Sequence, residues 1–343
     1  MAGRGEPVTN EPKPPCCPQC SEPVFGLDAN WCEACGAGLG ANTDPDDGVV
    51  CAVCGEGKVD ADRYCMSCGF RQPAPRELQV RTAHGVAGAT DRGLVRQENQ
   101  DAVAVGAANG VSVLVVCDGV ATTPRSAELA TYTANFVCDR IVAIAEAAET
   151  RFDASAAIVE SVVAAQPTTQ QRQSEDPVAA PVSDPPSTTI VVAVVAALGQ
   201  HEQDEAGSGD AVRLTVGWLG DSRAYWVEPG SAHMVTVDHE VGGALTRWVG
   251  SDSTNPAPEV ASQLVHGPGT IVVCSDGLWR YVNDAVQFAS LVHEVSVLNP
   301  QPEGLSVGLI DYARQCGAHD NVTVAVCTTP NQTSGRLTEE EQT

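Results

Sequence analysis

Four aspartates stand where apolar runs begin or end. Asp118 closes Val113-Leu114-Val115-Val116-Cys117-Asp118-Gly119, and Asp276 closes Ile271-Val272-Val273-Cys274-Ser275-Asp276-Gly277. Asp101 and Asp320 instead precede apolar runs. In an antiparallel sheet the start of one strand lies beside the end of its neighbour, so all four can share one sheet edge. Two carboxylates about 5 Å apart repel by roughly 3 kcal/mol at an effective dielectric constant near 20. Such a cluster needs protonation or a cation, and carboxylate and carbonyl oxygens select Mg²⁺ or Mn²⁺. Either Asp-Gly pair alone would read as a hairpin turn.

The cysteines offer a second chemistry. Nine of the fourteen lie before residue 70. Cys17-Pro18-Gln19-Cys20 is followed by Cys32-Glu33-Ala34-Cys35, and Cys51-Ala52-Val53-Cys54 by Cys65-Met66-Ser67-Cys68, so one unit occurs twice. A Cys-x-x-Cys turn presents two thiolates on one side, and two such turns close a tetrahedron around a structural zinc. Two zinc ions are expected. Cys16 stands one residue too far from Cys20 to match the other pairs, so Cys17 is the expected ligand. A redox dithiol or disulfides are the competing readings.

Apolar segments at 102–105, 111–117, 189–197, 213–219, 224–227, 270–274 and 322–327 predict the strands that carry the aspartates. Ala-rich stretches at 126–148 and 154–165 have helical spacing. The expected organisation is a disordered stretch at 1–15 and two zinc modules within 16–70, at 16–36 and 51–69. A linker at 71–80, a catalytic domain at 81–328 with a mobile insertion at 166–186, and a disordered tail at 329–343 follow.

The formal charge is −25, and twelve acids face six bases over residues 1–80. That balance argues against phosphate backbones and anionic membranes, whose binding needs clustered bases. A protein partner for the zinc modules is expected, and no nucleic acid. The longest apolar run, Ile190–Leu198, is too short for a bilayer span, which takes about 20 residues. Without an apolar signal segment at the start, a reducing cytoplasm is the expected location.

From about Ala83 to Cys327 the order of motifs resembles the type 2C family of metal-dependent protein phosphatases. The motifs are Asp91-Arg92-Gly93-Leu94-Val95-Arg96-Gln97-Glu98-Asn99-Gln100-Asp101, Val116-Cys117-Asp118-Gly119, Ser187-Thr188-Thr189, Gly220-Asp221-Ser222-Arg223, Ser275-Asp276-Gly277-Leu278 and Asp320-Asn321-Val322-Thr323. The resemblance implies an α+β fold, a four-layer αββα sandwich of two antiparallel sheets flanked by helices. It implies hydrolysis of phosphoserine and phosphothreonine by a water activated between two Mn²⁺ or Mg²⁺ ions. Asp101, Asp118, the Gly119 carbonyl, Asp276 and Asp320 would hold the metals, and Arg96 the phosphate. A phosphoprotein from a Ser/Thr kinase pathway would be the substrate.

The chain departs from the family pattern in two places. After Asp118-Gly119 a His, or a Gly-rich turn ending in His, is usual; here Val120-Ala121-Thr122-Thr123-Pro124-Arg125 follows. His319 is then a candidate general acid, while His239 reads as structural. That altered turn also motivates a second reading, a weakened relative acting through its zinc modules as an interaction scaffold. In many bacterial relatives a third metal uses the equivalents of Asp221 and Asp276 and an Asp four residues further on. Arg280 takes that last place, so a closed site and an Arg280–Asp221 pair are expected.

Overall fold

The computed structural model describes residues 54–55, 58–59, 64–69, 76–120, 125–148, 152–166, 185–198 and 211–329. The chain divides into two compact units, Met1–Pro73 and Ala74–Thr343. Of the expected organisation, 1–15, the first zinc module, 167–184 and 330–343 lie outside the described residues.

Successive side chains of a strand point to opposite faces, so a strand covered on both sides reads as an unbroken apolar run. In β4 (Val111–Asp118), Val111, Val113, Val115 and Cys117 join one apolar cluster, while Leu114 and Val116 join another. β6 (Ile190–Ala197) alternates likewise, with Ile190, Val192 and Val194 against Val191, Ala193 and Val195. These strands form the middle of a five-stranded antiparallel sheet in the order β13 (Glu259–Val265), β7 (Val212–Leu219), β6, β4, β3 (Asp101–Ala108).

A second antiparallel sheet has six strands, in the order β1 (Gln79–Ala83), β2 (Val86–Asp91), β15 (Val322–Thr329), β14 (Gly269–Cys274), β8 (Arg223–Glu228) and β9 (Ser231–Met234). Between the sheets lies an apolar layer that includes Leu114, Val191, Val216, Trp226, Ile271 and Val273. Two short pairs complete the strands: β5 (Ser187–Thr188) with β12 (Val249–Gly250), and β10 (Glu240–Val241) with β11 (Ala244–Leu245).

Helices cover the outer faces. α1 (Arg125–Ala147) buries Ala130, Ala134, Val137, Cys138, Ile141 and Ala145 against the five-stranded sheet, beside α2 (Ala154–Ala164). Asp153 caps α2 by accepting the Ala156 amide at 3.0 Å. On the six-stranded side, α3 (Asp276–Trp279) is a single turn. α4 (Ala285–Leu298) starts at the Asp284 cap, and α5 (Pro302–Gln315) opens on a proline whose missing N–H costs nothing there. Leu305, Leu309, Ile310 and Ala313 pack α5 onto that sheet. The sandwich of two antiparallel sheets with flanking helices is as expected.

Several elements were not foreseen: β1 and β2, the short strands β9 to β12, β13, and α4 and α5. β1 begins inside the stretch read as linker, and Thr329 of the expected tail ends β15. Gln166, from the expected insertion, is anchored: it accepts from the Gly250 amide at 3.1 Å and donates to the Pro256 carbonyl at 3.4 Å. Among the described residues, no helix is long and apolar enough to cross a membrane.

Candidate active site

Asp101 and Asp118 are paired residues of β3 and β4, at one end of the five-stranded sheet. Asp276 and Asp320 belong to the other sheet: Asp276 opens α3 just after β14, and Asp320 lies two residues before β15. The expected shared edge of one sheet is therefore one end of the sandwich, with two carboxylates from each sheet.

Ser275 joins the sheets. Its hydroxyl donates to Asp101 Oδ2 at 2.8 Å and accepts the Thr323 amide at 3.1 Å, while its own amide donates to the Thr323 carbonyl at 3.0 Å. The next turn is tight: a Cβ on Gly277 would stand 1.9 Å from the Asn321 carbonyl oxygen. Only glycine lets Asp276 sit this close to β15.

The Asp118-Gly119 segment is held from both flanks. The Asp118 carbonyl accepts from the Thr189 amide at 2.8 Å and the Thr188 hydroxyl at 2.8 Å, and its amide donates to the Thr189 hydroxyl at 3.1 Å. The Gly119 amide donates to the Gln100 carbonyl at 3.2 Å. Of the turn that follows, 121–124 lie outside the described residues.

Burial of acids without a cation raises their proton affinity. Asp101 is pushed up to about 7, by burial first, against hydrogen bonds from Thr323 and Ser275. Asp118 stands well above the usual carboxyl range, through burial and then the charges of Asp101, Asp276, Asp221 and Asp320. Asp276 is raised by burial, opposed by Arg280, and shares a hydrogen bond with Asp118. Asp221 rises to about 6 through burial and the Asp276 charge.

Arg96 forks onto Asp320, with Nε to Oδ1 at 2.7 Å and Nη2 to Oδ2 at 2.5 Å. The Asn321 amide braces the loop that carries Arg96, donating to the Arg92 and Glu98 carbonyls, each at 2.9 Å, and accepting from the Gln100 amide at 2.9 Å. Arg280 Nη2 meets Asp276 Oδ2 at 2.8 Å, so the pair expected with Asp221 forms with Asp276 instead. Asp221 sits in a turn fixed by Trp279, whose indole donates to the Asp221 carbonyl at 3.0 Å, and by His239, whose Nδ1 accepts the Gly220 amide at 3.2 Å. His239 is structural, as its sequence setting suggested. His319 is exposed, and its amide donates to the Tyr281 hydroxyl at 2.8 Å.

Sequence reasoning missed Ser275 as the link between sheets. The signal was there: a hydroxyl residue between a strand end and an aspartate.

In the smaller unit, the ligand atoms of Cys54, Cys65 and Cys68 all lie within 4.8 Å of one another. Cys65 Sγ accepts the Ser67 and Cys68 amides, each at 3.4 Å, and its thiol is lowered, most by the Cys68 amide. Cys54 and Cys68 are each followed by a glycine at φ 71°, a left-handed conformation that glycine adopts without strain. Cys17, Cys20, Cys32, Cys35 and Cys51 lie outside the described residues.

The donor set at the sandwich end, with oxygen ligands throughout and a surplus of buried negative charge, fits hard divalent cations. The protein phosphatase 2C family profile matches residues 93–311, and the chain belongs to that family. Among solved structures, the chain is similar to the catalytic domain of the serine/threonine protein phosphatase PstP in complex with two manganese ions. The TM-score is 0.51 at 22% identity, over 74% of this chain and 100% of that one. A bacterial serine phosphatase gives 0.52 at 20% identity, over 75% and 99%. PstP/Ppp of Mycobacterium tuberculosis gives 0.50 at 21%, over 74% and 99%. No curated protein matches the sequence.

Proposed function

We propose that the chain hydrolyses phosphoserine and phosphothreonine in proteins, using two Mn²⁺ or Mg²⁺ ions held by Asp101, Asp118, the Gly119 carbonyl, Asp276 and Asp320. The observation that carries this reading is the convergence of four aspartates from two sheets beside Arg96. Bound there, the cations supply positive charge and lower the pKa of a water.

The chain's own groups do the rest. Ser275 aims Asp101 by donating to it and offsets part of the burial penalty on its ionised form. Arg96, once it leaves Asp320, presents a planar fork matched to two phosphate oxygens. His319 is the candidate donor to the leaving alkoxide. A phosphoprotein of a kinase pathway is the proposed substrate, with the acidic zinc unit contacting protein. Purified chain with Mn²⁺ and a phosphothreonine peptide tests the reading, and no release of phosphate above background sinks it.

The raised carboxyls set a pH dependence. Asp101 near 7 and Asp221 near 6 bind protons more tightly folded than unfolded, where the value is 3.8. Stability from these groups is therefore present at low pH and lost as pH rises toward 7. In chelator, Tm should fall by roughly 5 °C or more between pH 5.5 and 7.5. Saturating Mn²⁺ should reverse the slope, because the ions need ionised ligands. A Tm that climbs with pH in chelator would contradict these assignments.

For the cysteines we propose two structural zinc ions, one on Cys17, Cys20, Cys32 and Cys35, the other on Cys51, Cys54, Cys65 and Cys68. Lowering of Cys65 by amide N–H groups favours the thiolate that zinc requires. Reduced protein should carry about two equivalents, and Cys65→Ser about one. Metal analysis giving less than one in the wild type would end this assignment.

A further inference from the structure

We infer that Arg76 and Glu77, in the segment entering the larger unit, are positioning residues for the Arg96 loop; this rests on the phosphatase reading above. The Asp91 carboxyl, at the end of β2, is fully buried. It accepts the Gly93 amide at 2.8 Å and Arg314 Nη1 at 2.6 Å, with Arg76 Nε 3.4 Å from its other oxygen. The Gly93 bond fixes the first turn of the loop that runs to Arg96.

Arg76 has a second grip. Its Nη2 donates to Asp311 at 2.7 Å, and Asp311 lies one turn before Arg314 on α5. α5 leads through 316–319 to Asp320, the residue that Arg96 forks. Arg76 thus touches the base of both limbs: β2, which leads to Arg96, and α5, which leads to Asp320. Glu77 makes an independent contact, 3.4 Å from Nε of the buried Arg92, whose Nη1 donates to the Gln97 carbonyl at 3.1 Å across the loop.

Two consecutive residues therefore reach two consecutive residues, 91 and 92, where the loop departs. Each tie joins opposite charges, and at Asp91 and Arg92 one partner is removed from water, where ion pairs are screened least. A loop with fewer ties at its base samples more conformations, and a grip that must be ordered on binding binds more weakly. The cost should fall on phosphate affinity, not on chemistry after binding.

The test uses the full chain with Arg76→Ala, Arg76→Lys and Glu77→Ala. In both alanine variants KM for a phosphothreonine peptide and Ki for inorganic phosphate should rise about three- to tenfold, with kcat within about twofold. Arg76→Lys keeps one charge without bridging Asp91 and Asp311, and should fall between. Amide exchange over 92–100 should quicken in Arg76→Ala while 190–197 is unchanged. A purely packing role would lower Tm and leave Ki and the kcat-to-KM split unmoved, and that result overturns the inference. Unchanged exchange over 92–100 overturns it as well. Failure of the wild type to release phosphate would reject the phosphatase reading, and exchange would still decide the positioning role.

Discussion

Asp118→Asn should lower kcat on a phosphothreonine peptide by about three orders of magnitude or more with Mn²⁺ saturating, since a misplaced reacting group alone costs on the order of a hundredfold. Asp118 is the hub of the acidic cluster, since its proton affinity responds to Asp101, Asp276, Asp221 and Asp320 together. On the proposed reading, a cation shared between the sheets would be held in part by this carboxylate. Asparagine keeps the shape, and the bonds that seat residue 118 involve its backbone, to Thr188 and Thr189, so the fold survives. Without cations the variant should melt higher than wild type, because one member of a repelling cluster has become neutral. Lost activity with raised metal-free Tm separates a metal-holding role from a structural one. An activity loss under tenfold would remove Asp118 from the bridge.

Arg96→Ala should reduce kcat/KM by about a hundredfold, mostly through KM, because a forked, charge-assisted grip on phosphate is gone. Lysine at 96 should restore little, since an ammonium cannot make two parallel bonds. In the structure the same guanidinium occupies both oxygens of Asp320. Removing it frees that carboxylate, so Mn²⁺ should bind as tightly as in wild type or more tightly while substrate binds more weakly. Calorimetry with Mn²⁺ and steady-state kinetics read the two effects separately. Mn²⁺ affinity falling together with substrate affinity would mean that Arg96 supports the cluster itself.

The four aspartates were legible because apolar runs locate strand ends, and strand ends are where a sheet presents side chains to a common rim. Which sheet carried each was not, since antiparallel adjacency constrains starts and ends but assigns no partner. β2 was missed because, after Val86, Ala87-Gly88-Ala89 are small residues that carry little strand signal, though every position is buried. α5 could have been read, with Leu305, Leu309 and Ala313 spaced by four behind a proline start. The pairing of Arg280 was also within reach: four residues from Asp276, at the end of a helical turn, it falls on the same face as that aspartate. The Thr188 and Thr189 hydroxyls gained their contacts with the Asp118 backbone only from tertiary neighbours, which one sequence does not supply.

On the proposed reading, the division of the carboxylates between two sheets would make bound cations a clasp. Each sheet brings an incomplete half of the site, and an apolar layer containing Leu114, Val191 and Ile271 brings the halves into register. Occupancy of the site and closure of the sandwich are then linked equilibria, and ions at a hundred times their Kd would hold the sandwich shut by about 2.7 kcal/mol. A hole cut into the distant layer, as at the fully buried Leu114, would loosen the clasp without touching any oxygen that closes it.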